Sequence, residues 1–147
     1  MIIMGYPGVG KTTMSKFDYR FIDLDSSVWK DVPNWAKHYC KLAESLSKQG
    51  YYVFVSSHDV VRNRLFGSKE KVCLLYPCKE LKDIWIETLT KRFEKEHSAK
   101  ARDAMHRVAQ YFDDDIERMD QSPHKKIVIK SFPFDATKTI IDFFDNY

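Results

Sequence analysis

The sequence predicts an α/β fold, a three-layer α/β/α sandwich on a parallel sheet, and three observations predict it. Short β-favouring apolar runs alternate with stretches of helical periodicity along the chain. A glycine-rich loop, Gly5-Tyr6-Pro7-Gly8-Val9-Gly10-Lys11-Thr12, directly follows the first apolar run, Met1-Ile2-Ile3-Met4. The second and third strand candidates end in polar residues, Asp23-Leu24-Asp25 and Ser56-Ser57-His58. Strands alternating with helices imply a parallel sheet with right-handed crossovers and helices on both faces. In such sheets ligands bind outside the carboxyl ends of the strands.

Each element has its own signal. Thr12 to Phe17 has room only for a short helix before Asp18, and Tyr19 to Leu24 then reads as a second strand ending in acids. Pro33 suits the first turn of a helix, and Trp35, Tyr39, Leu42, Ala43 and Leu46 recur at helical spacing until Gly50 ends it. Tyr51 to Val55 (YYVFV) is an unbroken run of the kind a strand buried on both faces shows. A helix from Asp59 to about Phe66 carries Arg62 and Arg64, and Gly67-Ser68 closes it before the strand Val72 to Tyr76, which Pro77 ends. Leu81, Ile84, Trp85, Leu89 and Phe93 form a helical stripe. The charged segment Lys91 to Lys100 reads as a connection to a second stripe from Ala101 to Met119. Lys126 to Ile129 is the last strand candidate, and Thr137 to Tyr147 supplies a closing helix.

Composition limits the machinery around these elements. The 147 residues, 44% of them hydrophobic, suit one domain spanning 1–147 with a real core. A net charge of +3 with intermixed signs argues against a dedicated nucleic-acid arm and tolerates an anionic substrate. Cys40, Cys73 and Cys78 form neither a disulfide set nor a zinc motif, so a reducing cytoplasm is the expectation. No basic leader precedes the first apolar residues and no run is long enough to span a bilayer. An unprocessed soluble chain is expected.

The loop fits G-x-x-x-x-G-K-[ST] at every fixed position. A triphosphate needs many convergent donors, and a glycine-rich turn between strand and helix points successive backbone N–H groups at one spot. Residues Gly5, Tyr6, Pro7, Gly8, Val9, Gly10, Lys11, Thr12 and Thr13 are therefore the candidate ATP contacts. Lys11, expected to face solvent from the loop, would reach the β- and γ-phosphates, and the Thr12 hydroxyl would hold Mg²⁺. Asp23 and Asp25 lie two apart on an extended segment, so both can face the loop. Asp23 is the candidate second metal contact, and Asp25 the candidate to accept a proton from, or orient, an acceptor hydroxyl. Either acid can alternatively cap the segment beside Ser26.

These features resemble the small P-loop kinases of the P-loop NTPase fold, a group that includes gluconate, shikimate and nucleoside monophosphate kinases. The similar segments are Gly5 to Thr13, Phe21 to Ser27, Ser56-Ser57-His58 with Arg62 four residues later, and Leu89-x-x-Arg92. The chain is most similar to short bacteriophage- and bacteria-encoded proteins described as nucleoside or nucleotide kinases, which share a D-[LI]-[DE]-S-S element, a V-S-[ST]-H strand end and a Y-P turn, here Tyr76-Pro77. The resemblance runs over most of the chain. It implies five parallel strands, a mobile arginine-rich helical lid at about 90–107, and ATP with Mg²⁺ as phosphoryl donor in a bacterial or phage-infected cytoplasm.

Guanidinium groups suit a lid because the transferred phosphoryl group spreads charge over its equatorial oxygens. Arg92 is the preferred catalytic arginine, matching the lid arginine of the resembled group, with Arg102, Arg107, Lys91 and Lys95 as neighbours. Ser57, His58 and Arg62 are the candidate acceptor contacts, and Arg64 and Lys30 are possible additional cations. Trp29 and Trp35 are candidates to stack on an acceptor base, or else packing residues. Ser131 to Ala136 corresponds to the adenine-edge loop of the resembled fold. The expected acceptor is a nucleoside or nucleoside monophosphate. Alternatives are a hydroxyl of DNA or RNA, or no small acceptor at all, as in an NTP-hydrolysing accessory protein.

Overall fold

A computed structural model describes residues 1–147. Its strands are β1 (Ile2–Gly5), β2 (Phe21–Asp23), β3 (Tyr52–Ser56), β4 (Val72–Pro77) and β5 (Lys125–Ile129). They form one all-parallel sheet in the order β2-β3-β1-β4-β5. Every residue of the central β1 and β4 is buried, which is why those segments read as continuous apolar runs.

Six α-helices connect and close the sheet: α1 (Lys11–Phe17), α2 (Trp35–Lys48), α3 (Asp59–Leu65), α4 (Lys82–Glu96), α5 (Ala99–Gln121) and α6 (Ala136–Asp145). With this strand order, right-handed crossovers put α1 on the face opposite α2, α3 and α5. The closing helix α6 seats Ile140 and Phe144 in the core. No helix is long and apolar enough to cross a membrane.

Several boundaries differ from the sequence expectation, each for a local reason. β2 starts at Phe21, not Tyr19, because the Asp18 carboxylate accepts from the Arg20 backbone N–H at 3.0 Å and pairs with its guanidinium at 2.7 Å. That contact closes a turn and leaves Tyr19 exposed. Pro33 falls outside the first turn of α2, since Asn34, in the left-handed region at φ 55°, occupies the N-cap. The charged segment Lys91 to Lys100 is almost entirely helix. Glu87–Lys91 at 2.8 Å and Arg92–Glu96 at 3.3 Å are i,i+4 pairs that carry α4 through it. Only His97 and Ser98 lie between α4 and α5, and the Ser98 hydroxyl accepts the Ala101 N–H at 3.1 Å as the α5 cap.

Because the sheet is parallel, the carboxyl ends of all five strands lie along one edge. The α4–α5 hairpin leaves that edge after β4, and α5 runs back past it to the start of β5 at the opposite edge, while the start of α4 lies against the glycine-rich loop. There the Trp85 indole N–H donates to the Pro7 carbonyl at 2.7 Å.

Candidate active site

The glycine-rich loop is a tight turn between β1 and α1. Gly8 and Gly10 have φ of +94° and +93°, in the left-handed region where a side chain is strained. At Gly8 there is no room either: an added Cβ would lie 2.7 Å from the Trp85 indole nitrogen. The Tyr6 and Val9 N–H groups are used within the fold, bonding to the Leu75 and Tyr6 carbonyls. Those of Gly10, Lys11, Thr12 and Thr13 have no intrahelical acceptor, so they stand available at the mouth of α1.

Lys11 departs from the expectation of a solvent-facing loop residue. It is the first residue of α1, and its ammonium folds back to donate to the Gly5 carbonyl at 3.2 Å. Burial lowers its pKa, with Asp23 and Asp25 opposing the shift and Lys100 and Arg92 adding to it. These four charged groups therefore gather around one lysine. Val9 also departs: it is buried in the core beneath the loop and does not line the cleft.

Across from Lys11, the Thr12 hydroxyl donates to the Asp23 carboxylate at 3.2 Å. The carboxyl end of β2 thus meets the start of α1. Asp25 has two partners. One oxygen accepts the Ser27 N–H at 2.9 Å and caps the following 3₁₀ turn, and the other accepts from Lys100 Nζ at 3.2 Å. Burial pushes its pKa up, but the Ser27 and Lys100 contacts outweigh that and hold the carboxyl below its ordinary range. Of the roles open to Asp25 the cap is formed, and the same side chain lines the cleft.

Tyr39 holds these strand ends together. Its buried hydroxyl donates to the Leu24 carbonyl at 2.5 Å and accepts the Ser56 N–H at 2.9 Å. One side chain of α2 thereby fixes the acid-bearing end of β2 beside the serine-bearing end of β3. Trp29 and Trp35 pack edge-to-face on the Tyr39 ring, 6.1 and 5.7 Å between centroids, and neither lines the cleft. Of the two roles open to them, packing is the one observed, as support of Tyr39.

The remaining wall is cationic. Arg62 donates to the Ser57 carbonyl at 2.5 Å and pairs with Asp59, with Ser57 and His58 lining the cleft beside it. The His58 pKa is lowered by burial and by the nearby Arg107 and Lys30. From α5, Arg107 and Arg118 both grip the buried Asp115 carboxylate at 2.6 Å. The Tyr6 hydroxyl donates to the same carboxylate at 3.1 Å, tying this wall to the glycine-rich loop. One buried negative charge thus orients two guanidinium groups, leaving a net positive surface.

Arg92, Lys95 and Lys100 face the cleft from the hairpin, whereas Lys91, Arg102 and Arg64 do not. Lys91 pairs with Glu87, and Arg102 with the cleft-lining Asp103. The whole cleft measures about 1480 Å³. A single small-molecule pocket is typically about 300–1,000 Å³, so this one has space for two ligands side by side.

Sequence reasoning missed Lys100, Asp115, Arg118 and the positioning role of Tyr39. The first three sit on α5, where the sequence shows only a charged amphipathic helix, and nothing local distinguishes cleft-facing charges from solvated ones. For Tyr39 the helical stripe signalled burial and gave no sign of the hydroxyl's partners.

No protein-family model matches this chain, and no curated protein sequence matches it. The residues of the cleft therefore carry the functional reading by themselves.

Proposed function

We propose that this chain is an ATP- and Mg²⁺-dependent phosphotransferase of the P-loop kinase type, acting on a nucleoside or nucleoside monophosphate. The observation that carries the reading is convergence: Lys11, the Thr12–Asp23 pair and Asp25 share one cleft with an opposing arginine wall. The strand order supports it, because the sheet's connections change direction around β1 and the glycine-rich loop leaves from that strand.

The residues suit a magnesium nucleotide. Magnesium is commonly held by one or two carboxylate contacts and substrate phosphates, with its own waters, and not by a dedicated protein cage. Thr12 and Asp23 provide such a partial set, and no cluster of three or more His, Cys, Asp or Glu side chains competes with it. Bound there, the ion would neutralise charge on the donor phosphates. The free N–H groups of the loop and the Lys11 ammonium would hold those phosphates, and the lid cations Arg92 and Lys95 would meet the charge on the transferred group. Asp25 would orient the acceptor oxygen and accept its proton.

On the acceptor side, Arg107 and Arg118 are pre-set by Asp115, with Arg62 and Lys30 nearby. Such fixed guanidinium groups fit an anionic acceptor, which favours a nucleotide over a bare nucleoside. Asp25 favours a hydroxyl acceptor, since a nucleotide phosphate is already largely ionised near neutral pH. This combination supports a second reading, transfer to a sugar hydroxyl of a nucleic-acid end whose neighbouring phosphate sits on the arginine wall.

A coupled ADP-release screen over nucleosides, nucleotides, sugar acids and oligonucleotides tests these readings. The expected result is release stimulated by at least one mononucleoside or mononucleotide above acceptor-free hydrolysis. Stimulation by oligonucleotides alone would establish the second reading, and stimulation by nothing would leave an NTP-hydrolysing protein.

A further inference from the structure

We infer that Lys100 is a further catalytic residue, a lid-borne cation that exchanges Asp25 for the phosphoryl group in flight and so couples transfer to the presence of an acceptor. The inference rests on the phosphotransferase reading above and goes beyond it. Lys100 lies in the first turn of α5, just after the His97-Ser98 link, and reaches 75 residues back along the sequence to Asp25 at 3.2 Å. It also lies close enough to Lys11 to disfavour that residue's charge, as Arg92 does. Lys100 therefore shares one cleft with the group that would hold the donor phosphates and contacts the group that would receive the acceptor proton.

The contact has a chemical consequence. Asp25 has two carboxylate oxygens, of which one is occupied by the Ser27 N–H in a local cap and the other by Lys100. While both contacts hold, each oxygen already carries one donor, and an acceptor hydroxyl or a water must share an oxygen with the Ser27 N–H or with the Lys100 ammonium. Both members of the pair are partly exposed, 52% for Lys100 and 35% for Asp25, so solvent weakens the contact and a multiply charged phosphate group competes for the ammonium effectively.

When Lys100 turns to the transferring group, the Asp25 oxygen is released to the acceptor. The acceptor hydroxyl then gives its proton to Asp25, its oxygen forms the new bond to the γ-phosphorus, and the bond from that phosphorus to the bridging oxygen of ADP breaks. Without an acceptor ordering the lid, Lys100 returns to Asp25 and water is not activated. The pairing thus favours transfer over hydrolysis.

Two measurements test this. In the nucleotide-free protein, amide hydrogen exchange over 99–103 should quicken in Lys100→Met, in Asp25→Asn and in the double variant to the same extent, because all three remove one shared contact. With ATP, Mg²⁺ and the best acceptor from the screen, Lys100→Met should lose transfer by roughly tenfold to a hundredfold, the scale of one charge-assisted contact made in the transition state. The ratio of acceptor-free hydrolysis to transfer should rise, ADP affinity by calorimetry should hold, and Lys100→Arg should restore most of the transfer. Additive exchange effects, full transfer by Lys100→Met, or a parallel fall in transfer and hydrolysis would each overturn the inference. A wild-type protein that transfers to nothing would instead remove the phosphotransferase reading, and this inference with it.

Discussion

At the scale of single residues, Lys11 joins the loop to the rest of the cleft. Its ammonium is partly desolvated and held by one carbonyl, an arrangement that a phosphate would improve by supplying the missing negative charge. Lys11→Ala should therefore weaken ATP binding by roughly 10- to 100-fold, the scale of a charge-assisted hydrogen bond, while the melting temperature stays level or rises. Calorimetric titration and a thermal melt check the two parts. The acids should separate. Asp23→Asn should weaken Mg²⁺-dependent nucleotide binding, whereas Asp25→Asn should keep binding and lose transfer, measured by titration with and without chelator and by product formation. Gly8→Ala tests the loop's packing. Its positive φ and the Trp85 indole predict a loss of roughly 1–2 kcal/mol or more, read from denaturant unfolding. The motif made the glycine turn and the cleft position of Lys11 and Thr12 at the start of α1 legible, because these depend on local spacing. Lys100, Asp115 and Arg118 were illegible one by one, since their partners lie far away in sequence.

At the scale of elements, the edge of the sheet depends on a few cross-links. Tyr39 joins the ends of β2 and β3 through its hydroxyl, so Tyr39→Phe would leave the Ser56 N–H and the Leu24 carbonyl unpaired. The expected cost is about 1–3 kcal/mol in denaturant unfolding, with faster hydrogen exchange over 23–27 and 56–58. The α4–α5 hairpin depends on its short link, and the Ser98 cap there should contribute roughly 0.5–2 kcal/mol. Ser98→Ala should appear as faster exchange in the first turn of α5, beside Lys100. Strands were largely legible as apolar runs, except β2, whose start is set by the Asp18–Arg20 contact and not by hydrophobicity. The hairpin was legible as two apolar stripes. The helical character of its charged middle was hidden because i,i+4 ion pairs and a solvated linker have the same composition.

For the molecule as a whole, alternation of strands and helices predicts the parallel sheet, but the order β2-β3-β1-β4-β5 is a tertiary fact. That order brings the glycine-rich loop, the two acids and the β3 end to one edge, where the hairpin covers them with cations. The resulting cleft, about 1480 Å³, has Lys11 and the Thr12–Asp23 pair on one side and an Asp115-anchored arginine wall on the other. Its division into two halves is what the phosphotransferase reading requires. The most direct measurement is phosphorus NMR of the protein with ATP, Mg²⁺ and a panel of nucleosides and mononucleotides. The account predicts a new phosphorylated-acceptor resonance growing in step with ADP, in excess of inorganic phosphate. Inorganic phosphate and ADP alone, at the same rate with or without any acceptor, would contradict it.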